Sequence, residues 1–218
     1  MVRVTEPAGI VPHLGRQEAE RLQHRYLGPE HLLLGLLLQG NDPTAGVLRS
    51  HGLNLQAVRT QVEQLIADGV LPGAQPTDAE LLGTLSIDLE ALYRRLKVTF
   101  GDDAYYYAAQ HVRLRSKHAI THTPMSGTPL MCRRALRFAF DEAVARGEEI
   151  GPEHLLLGLL RDAEDPVGAD LTPQELRQRV YLGLPDHGPH PVRLLIEARG
   201  YTLEAVRAAM LNHLDRNR

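Results

Sequence analysis

The chain has 218 residues, a formal charge of -3 at pH 7 and 43% hydrophobic residues, enough for one sizeable domain or two small ones around a buried core. So mild a charge excludes a strong global field toward nucleic acid or anionic membrane, and a lone cysteine, Cys132, excludes an internal disulfide. Trp is absent and Phe occurs three times, a usage that favours an all-α chain packed through aliphatic side chains over a sheet.

Met1 to Pro7 carries no apolar leader. Leu14 to His24 then places Leu14, Glu18, Ala19 and Leu22 at helical spacing. Next comes Gly28-Pro29-Glu30-His31-Leu32-Leu33-Leu34-Gly35-Leu36-Leu37. Pro29 suits a first helical turn, where a missing N–H costs little, and Glu30 complements the positive end of the helix dipole. The run that follows is apolar on every side, so the helix is expected to be central, with Gly35 allowing another helix to come close. At seven residues, Leu32–Leu38 is far short of the ~20 a membrane span needs, and a cytoplasmic protein is the expectation. Ala45–Ser50 reads as a short helix stopped by His51-Gly52, and Leu55–Ala67 as a longer one.

Val70 to Pro76 is a Pro/Gly linker. Ser86-Ile87-Asp88-Leu89-Glu90-Ala91 echoes Gly52-Leu53-Asn54-Leu55-Gln56-Ala57, so residues 77–100 read as an inserted half-repeat of two helices, opening at the capping box Thr77-Asp78-Ala79-Glu80. Tyr105-Tyr106-Tyr107 with Arg113 and Arg115 could stack on and neutralise a nucleic acid strand, but the net negative charge argues against that partner. His111 to Thr128 reads as a polar, basic crossing. Cys132–Arg146 is the next helix, with Cys132 a small buried residue. Then Gly151 to Leu160 repeats the ten letters of Gly28 to Leu37. Glu164 to Pro191 interrupts the second copy with a short helix from Thr172-Pro173-Gln174-Glu175, and Val192–Arg199 and Leu203–Leu214 close it. The expected organisation is repeat 1 at 1–69, linker and insertion at 70–126, and repeat 2 at 127–218 with an internal insertion at about 164–191, each repeat about four helices long.

The paired motif, each copy followed by a Gly turn and a Leu-x-x-Val-Arg helix, resembles the Clp N-terminal repeat domain at the front of Clp-type unfolding ATPases, closest to its ClpC branch. Nothing in the chain matches Gly-x-x-x-x-Gly-Lys-[Ser/Thr], so the expectation is a free-standing N-domain protein without the ATPase modules. The resemblance implies a non-enzymatic protein-binding module, accessory or decoy to a Clp ATPase, with Clp substrates, adaptors or the ATPase itself as partners. It also implies a phosphoarginine pocket in each repeat, pairing the motif glutamate with a threonine 25 residues upstream: Thr5 with Glu30, and Thr128 with Glu153. A carboxylate accepts two guanidinium N–H donors while hydroxyl and backbone N–H groups meet a phosphoryl. Pro29 and Pro152 stand where the family has threonine, and Pro7, Gly9 and Pro12 fall where its first helix runs. The competing expectation is an interaction module rebuilt around the insertion, with vestigial pockets.

No catalytic residue, cofactor or metal is expected. His31 and His154 read as polar core or capping residues, and the loop histidines His111, His118, His122, His187 and His190 as solvated; none has metal-ligand spacing.

Overall fold

The computed structural model describes residues 3–40, 42–76, 88–100 and 130–216. Among them are ten helices and no strand beyond two isolated bridges. The chain divides into two units, Met1–Gly73 with Leu130–Arg218, and Ala74–Pro129. The first holds both repeats: α1 (Glu6–Arg21), α2 (Pro29–Leu38), α3 (Pro43–Ser50) and α4 (Leu55–Ala67) make the first copy. The second unit contributes α5 (Leu89–Phe100), begun by Asp88, whose Oδ1 accepts from Ala91 N at 3.0 Å. The Thr77 capping box, the tyrosine run and the His111 to Thr128 crossing lie outside the described residues. The second copy follows as α6 (Arg133–Arg146), α7 (Pro152–Asp162), α9 (Pro191–Glu197) and α10 (Leu203–Arg216), with α8 (Pro173–Tyr181) in its insertion.

The all-helical expectation holds, and α4 has the bounds read from the sequence. α1 does not: it begins well before Leu14, at Glu6, and runs through Pro12. Thr5 starts it as N-cap, its Oγ1 accepting from Ala8 N at 3.4 Å, and Pro7 sits in the first turn where its missing N–H is harmless. α8 opens as expected, Thr172 and Glu175 forming a reciprocal capping box.

α2 is buried from Pro29 to Leu37 and α7 from His154 to Leu160, as apolar character on every face requires. Each fully buried leucine contributes roughly 1.5–3 kcal/mol of burial, and one contiguous core joins both copies. The close approach expected at Gly35 is present. A Cβ there would run into Val11 O and Gly15 N of α1, and one at Gly158 into Ala135 O and Ala139 N of α6.

The copies interlock crosswise. Thr5 N donates to Ile150 O at 3.0 Å and Ile150 N to Arg3 O at 2.8 Å, while Met131 N donates to Leu27 O at 2.8 Å. The segment before each copy's first helix thus pairs with the turn before the other copy's central helix. Each copy also ties its first helix to its fourth by a buried or half-buried ion pair, Glu18 with Arg59 and Glu142 with Arg207.

Candidate functional site

The two glutamates of the repeated motif begin at the same local chemistry. In each copy the N-cap is glycine, and the histidine three residues on turns its ring back over the helix end. Gly28 N donates to His31 Nδ1 at 2.9 Å, and Gly151 N to His154 Nδ1 at 3.1 Å. Histidine thereby fills the role that glutamate or glutamine has in a capping box. The intervening glutamate carboxylate folds back over the glycine, so that a Cβ at Gly28 or Gly151 would collide with it. His31 and His154 are capping core residues, as read from the sequence.

Beyond that start the copies diverge, and the preceding turn is the cause. The chain leaves α1 through Gln23 in the left-handed region (φ 55°) and α6 through Gly147 (φ 70°). Four residues, His24 to Leu27, then lead to Gly28, but only three, Glu148 to Ile150, lead to Gly151. The longer turn brings Tyr26 inward. Its ring stacks on His24 at 5.1 Å and meets His31 edge-on at 5.2 Å.

Around Glu30 the result is a closed polar chain. Because His31 Nδ1 accepts from Gly28, its ring proton sits on Nε2 and donates to His24 Nδ1 at 3.0 Å; His24 Nε2 donates in turn to Pro72 O at 2.9 Å. Both rings are therefore neutral, and burial lowers His24 to about 4 and His31 to about 3. Glu30 itself is 1% exposed. Burial raises its carboxyl above the usual range, and its own backbone N–H, Tyr26, His24 and His190 do not offset this. Glu30 Oε1 lies 3.4 Å from His31 Nδ1, but that nitrogen's lone pair is engaged by Gly28, so the two are neighbours and not an ion pair.

His24, Glu30 and His31 are the one group among the described residues whose ligand atoms cluster as a metal site would. The proton arrangement opposes it. A neutral imidazole has one lone pair, and His31 gives that pair to Gly28 N–H, leaving no donor electrons on Nε2 for a metal.

Glu30 lines a cavity together with Tyr26, Met131, Arg134, Asp162, Arg179 and His190. Its volume is about 60 Å³, room for a few waters or one small polar group. Asp162 bridges Arg134 Nη1 at 3.6 Å and His190 Nε2 at 3.3 Å. His190 is buried as the N-cap of α9, which corrects its reading as a solvated loop residue: it begins a helix whose apolar residues reach the core. His187 is 92% exposed, as expected.

Glu153 stands differently. Its side chain is 25% exposed, and its Oε1 lies 3.2 Å from His154 Nδ1. The other ring nitrogen is 3.2 Å from Glu148 Oε2, so Glu148 takes the place that His24 has in the first copy. As at His31, the Nδ1 lone pair is engaged by the glycine N–H, so His154 is a neighbour and not a donor. Burial raises the Glu153 carboxyl, but its own backbone N–H and His213 of α10 favour the anion and the group lies below the usual glutamate range. Glu153 is partly exposed with its carboxyl lowered, where Glu30 is buried with its carboxyl raised.

The crosswise pairing also places the threonines. Thr5 Oγ1 donates to Ile150 O at 3.2 Å, at the turn that leads into Gly151 and Glu153. Val4 bridges Ile150 as Leu130 bridges Leu27, and the next residues, Thr5 and Met131, donate their N–H across, so Met131 is the counterpart of Thr5, and it lines the Glu30 cavity. Thr128 lies outside the described residues. Equal 25-residue spacing counts positions along the chain, whereas the hydrogen bonds of Thr5 run between copies. The one-residue difference in the turns was the sequence signal for this asymmetry.

Among known proteins, residues 3–88 match the family model described as the Clp repeat (R) N-terminal domain. The chain is 31% identical over 186 residues to the chaperone protein ClpC1, chloroplastic, of Oryza sativa subsp. japonica, with 82% of this chain and 15% of that protein covered. The same figures hold for the ATP-dependent Clp protease ATP-binding subunit ClpA homolog, chloroplastic, of Brassica napus. The chain thus spans about 15% of the length of these curated relatives. In structure it is similar to the N-terminal domain of the caseinolytic protease associated chaperone ClpD from Arabidopsis thaliana, with a TM-score of 0.52 at 15% identity over 98% of this chain and 95% of that one. No helix among the described residues is long and apolar enough to cross a membrane.

Proposed function

We propose that this chain, whose residues 3–88 match the Clp repeat (R) N-terminal domain model, is a non-catalytic protein-binding module of the Clp system. It receives substrates or adaptors, accessory to or in competition with a Clp ATPase, and the ligand group is an arginine side chain carrying phosphate. The observation that carries this reading is Glu153, a partly exposed carboxylate held ionised at a helix start. Such a group accepts two N–H donors from a guanidinium, and the positive end of the helix dipole favours an adjacent phosphoryl. Thr5 Oγ1 reaches the turn before that helix, where Ile150 O holds its proton. Pro152 removes one backbone donor from the helix start, so the affinity rests on the carboxylate.

The first copy differs: Glu30 is buried with its carboxyl raised, and Met131 lines its cavity, so this pocket is closed in the fold described. Calorimetric titration with phosphoarginine tests both. One site per chain, lost in Glu153→Ala and kept in Glu30→Ala, is the expected outcome. Absence of heat, or heat unchanged by Glu153→Ala, would overturn the pocket.

A further inference from the structure

We propose that residues 164–190 form a lid closed over the Glu30 pocket, with Arg179 held at the place an incoming guanidinium would take. The two copies then bind unequally: the Glu153 pocket is open, and the Glu30 pocket becomes available only when the lid lifts. This rests on the reading of the motif glutamates as ligand contacts and adds the regulation of one of them.

The insertion has no equivalent in the first copy, and its packing is separate from the main core. Leu182 and Leu184 form a small cluster with Tyr26, with Met131 against it, while α8 buries no residue of its own. A segment held by a satellite cluster can open without unfolding the rest. Its base is anchored by Arg193, which donates to Ala163 O and Glu164 O. Its loop is closed by Val167 N donating to Gly188 O at 2.9 Å, with Gly168 (φ 96°) so tight on Asp186 O that a Cβ would collide with it.

What it covers is a charged site. Arg179 lines the cavity with Glu30 and Asp162, whose charges favour its charged form, and its Nε donates to Pro185 O at 2.8 Å, which ties the guanidinium to the lid. The closed state leaves polar atoms unsatisfied. Tyr26 Oη, Glu30 Oε1 and Arg134 Nε are buried without a well-formed hydrogen bond among the described residues, Tyr26 and Glu30 facing only each other, and all three side chains line this one cavity. Orphaned groups of this kind favour an arrangement that supplies their partners. Lifting the lid would uncover the Glu30 carboxyl and the Tyr26 phenol and would release Arg134 from Asp165 of the lid, leaving it on Asp162, a set that suits a phosphorylated arginine.

The test uses the whole chain with two lid variants, Leu182→Ser/Leu184→Ser and, as a change outside the packing cluster, Gly168→Ala. Nitration of Tyr26 by tetranitromethane, mapped by peptide mass, reads the lid without any ligand; phosphoarginine titration reads the pocket. The lid predicts at least tenfold slower Tyr26 nitration in the wild type than in either variant. Stoichiometry should rise from one site to two in the variants and return to one when Glu30→Ala is added. Equal nitration in wild type and both variants overturns the lid, as does nitration that rises while stoichiometry stays at one. Protection of Tyr26 that is lost in the variants, with no phosphoarginine heat in any protein, supports the lid and overturns the ligand reading beneath it.

Discussion

At the residue scale, a buried imidazole chain makes stability depend on pH in a stated direction. His24 and His31 are neutral in the fold, lowered to about 4 and about 3, while in the unfolded chain each titrates near ~6.5. As pH falls from that value toward 4, the unfolded chain binds protons the folded one refuses. Stability is therefore complete above the unfolded value and declines through this window by up to ~1.4 kcal/mol per pH unit for each ring. His31→Gln keeps an acceptor for Gly28 N–H and removes one titrating ring, so its acid limb should have about half the slope. Urea midpoints between pH 7 and 4 measure this, and a limb as steep as the wild type's would show that the rings are not held neutral. The glycine N-caps give a second prediction. In Gly151→Ala the displaced carboxylate swings toward water, but in Gly28→Ala it has nowhere to go. The first variant should lose under ~1 kcal/mol and the second ~2 kcal/mol or more, by denaturant unfolding.

At the element scale, the central helices owe their position to what they lack. Gly35 and Gly158 let α1 and α6 approach until backbone meets backbone, and α2 and α7 are then sealed by leucine on every side. Gly35→Ala would drive a Cβ into Val11 O and Gly15 N, neither of which can rotate away, so a loss of ~3 kcal/mol or failure to fold is expected, read by thermal melting. This much was legible in the sequence: an all-round apolar run with one internal glycine admits few other placements. The start of α1 was not. Three helix-unfriendly residues, Pro7, Gly9 and Pro12, hid it, whereas Thr5 and the crosswise bond to Ile150 hold it in place, and a long-range bond leaves no local pattern. The same holds for the ion pairs of Arg59 and Arg207, whose Val-Arg echo was visible while their glutamate partners were not.

At the scale of the whole molecule, one core spans both copies, so the repeat unit should unfold in a single transition that Gly35→Ala and Gly158→Ala both shift. The duplication was readable from ten identical letters, but identity of sequence concealed inequality of environment. A turn longer by one residue, Met131 in the register of Thr5, and an insertion over one side leave Glu30 buried with its carboxyl raised and Glu153 partly exposed with its carboxyl lowered. The most direct test of that inequality needs no ligand: a carbon-13 NMR titration of the Glu30 and Glu153 side-chain carboxyls in the intact chain. Glu153 should titrate below the ordinary glutamate midpoint and Glu30 above it; coincident midpoints, or the reverse order, would contradict it.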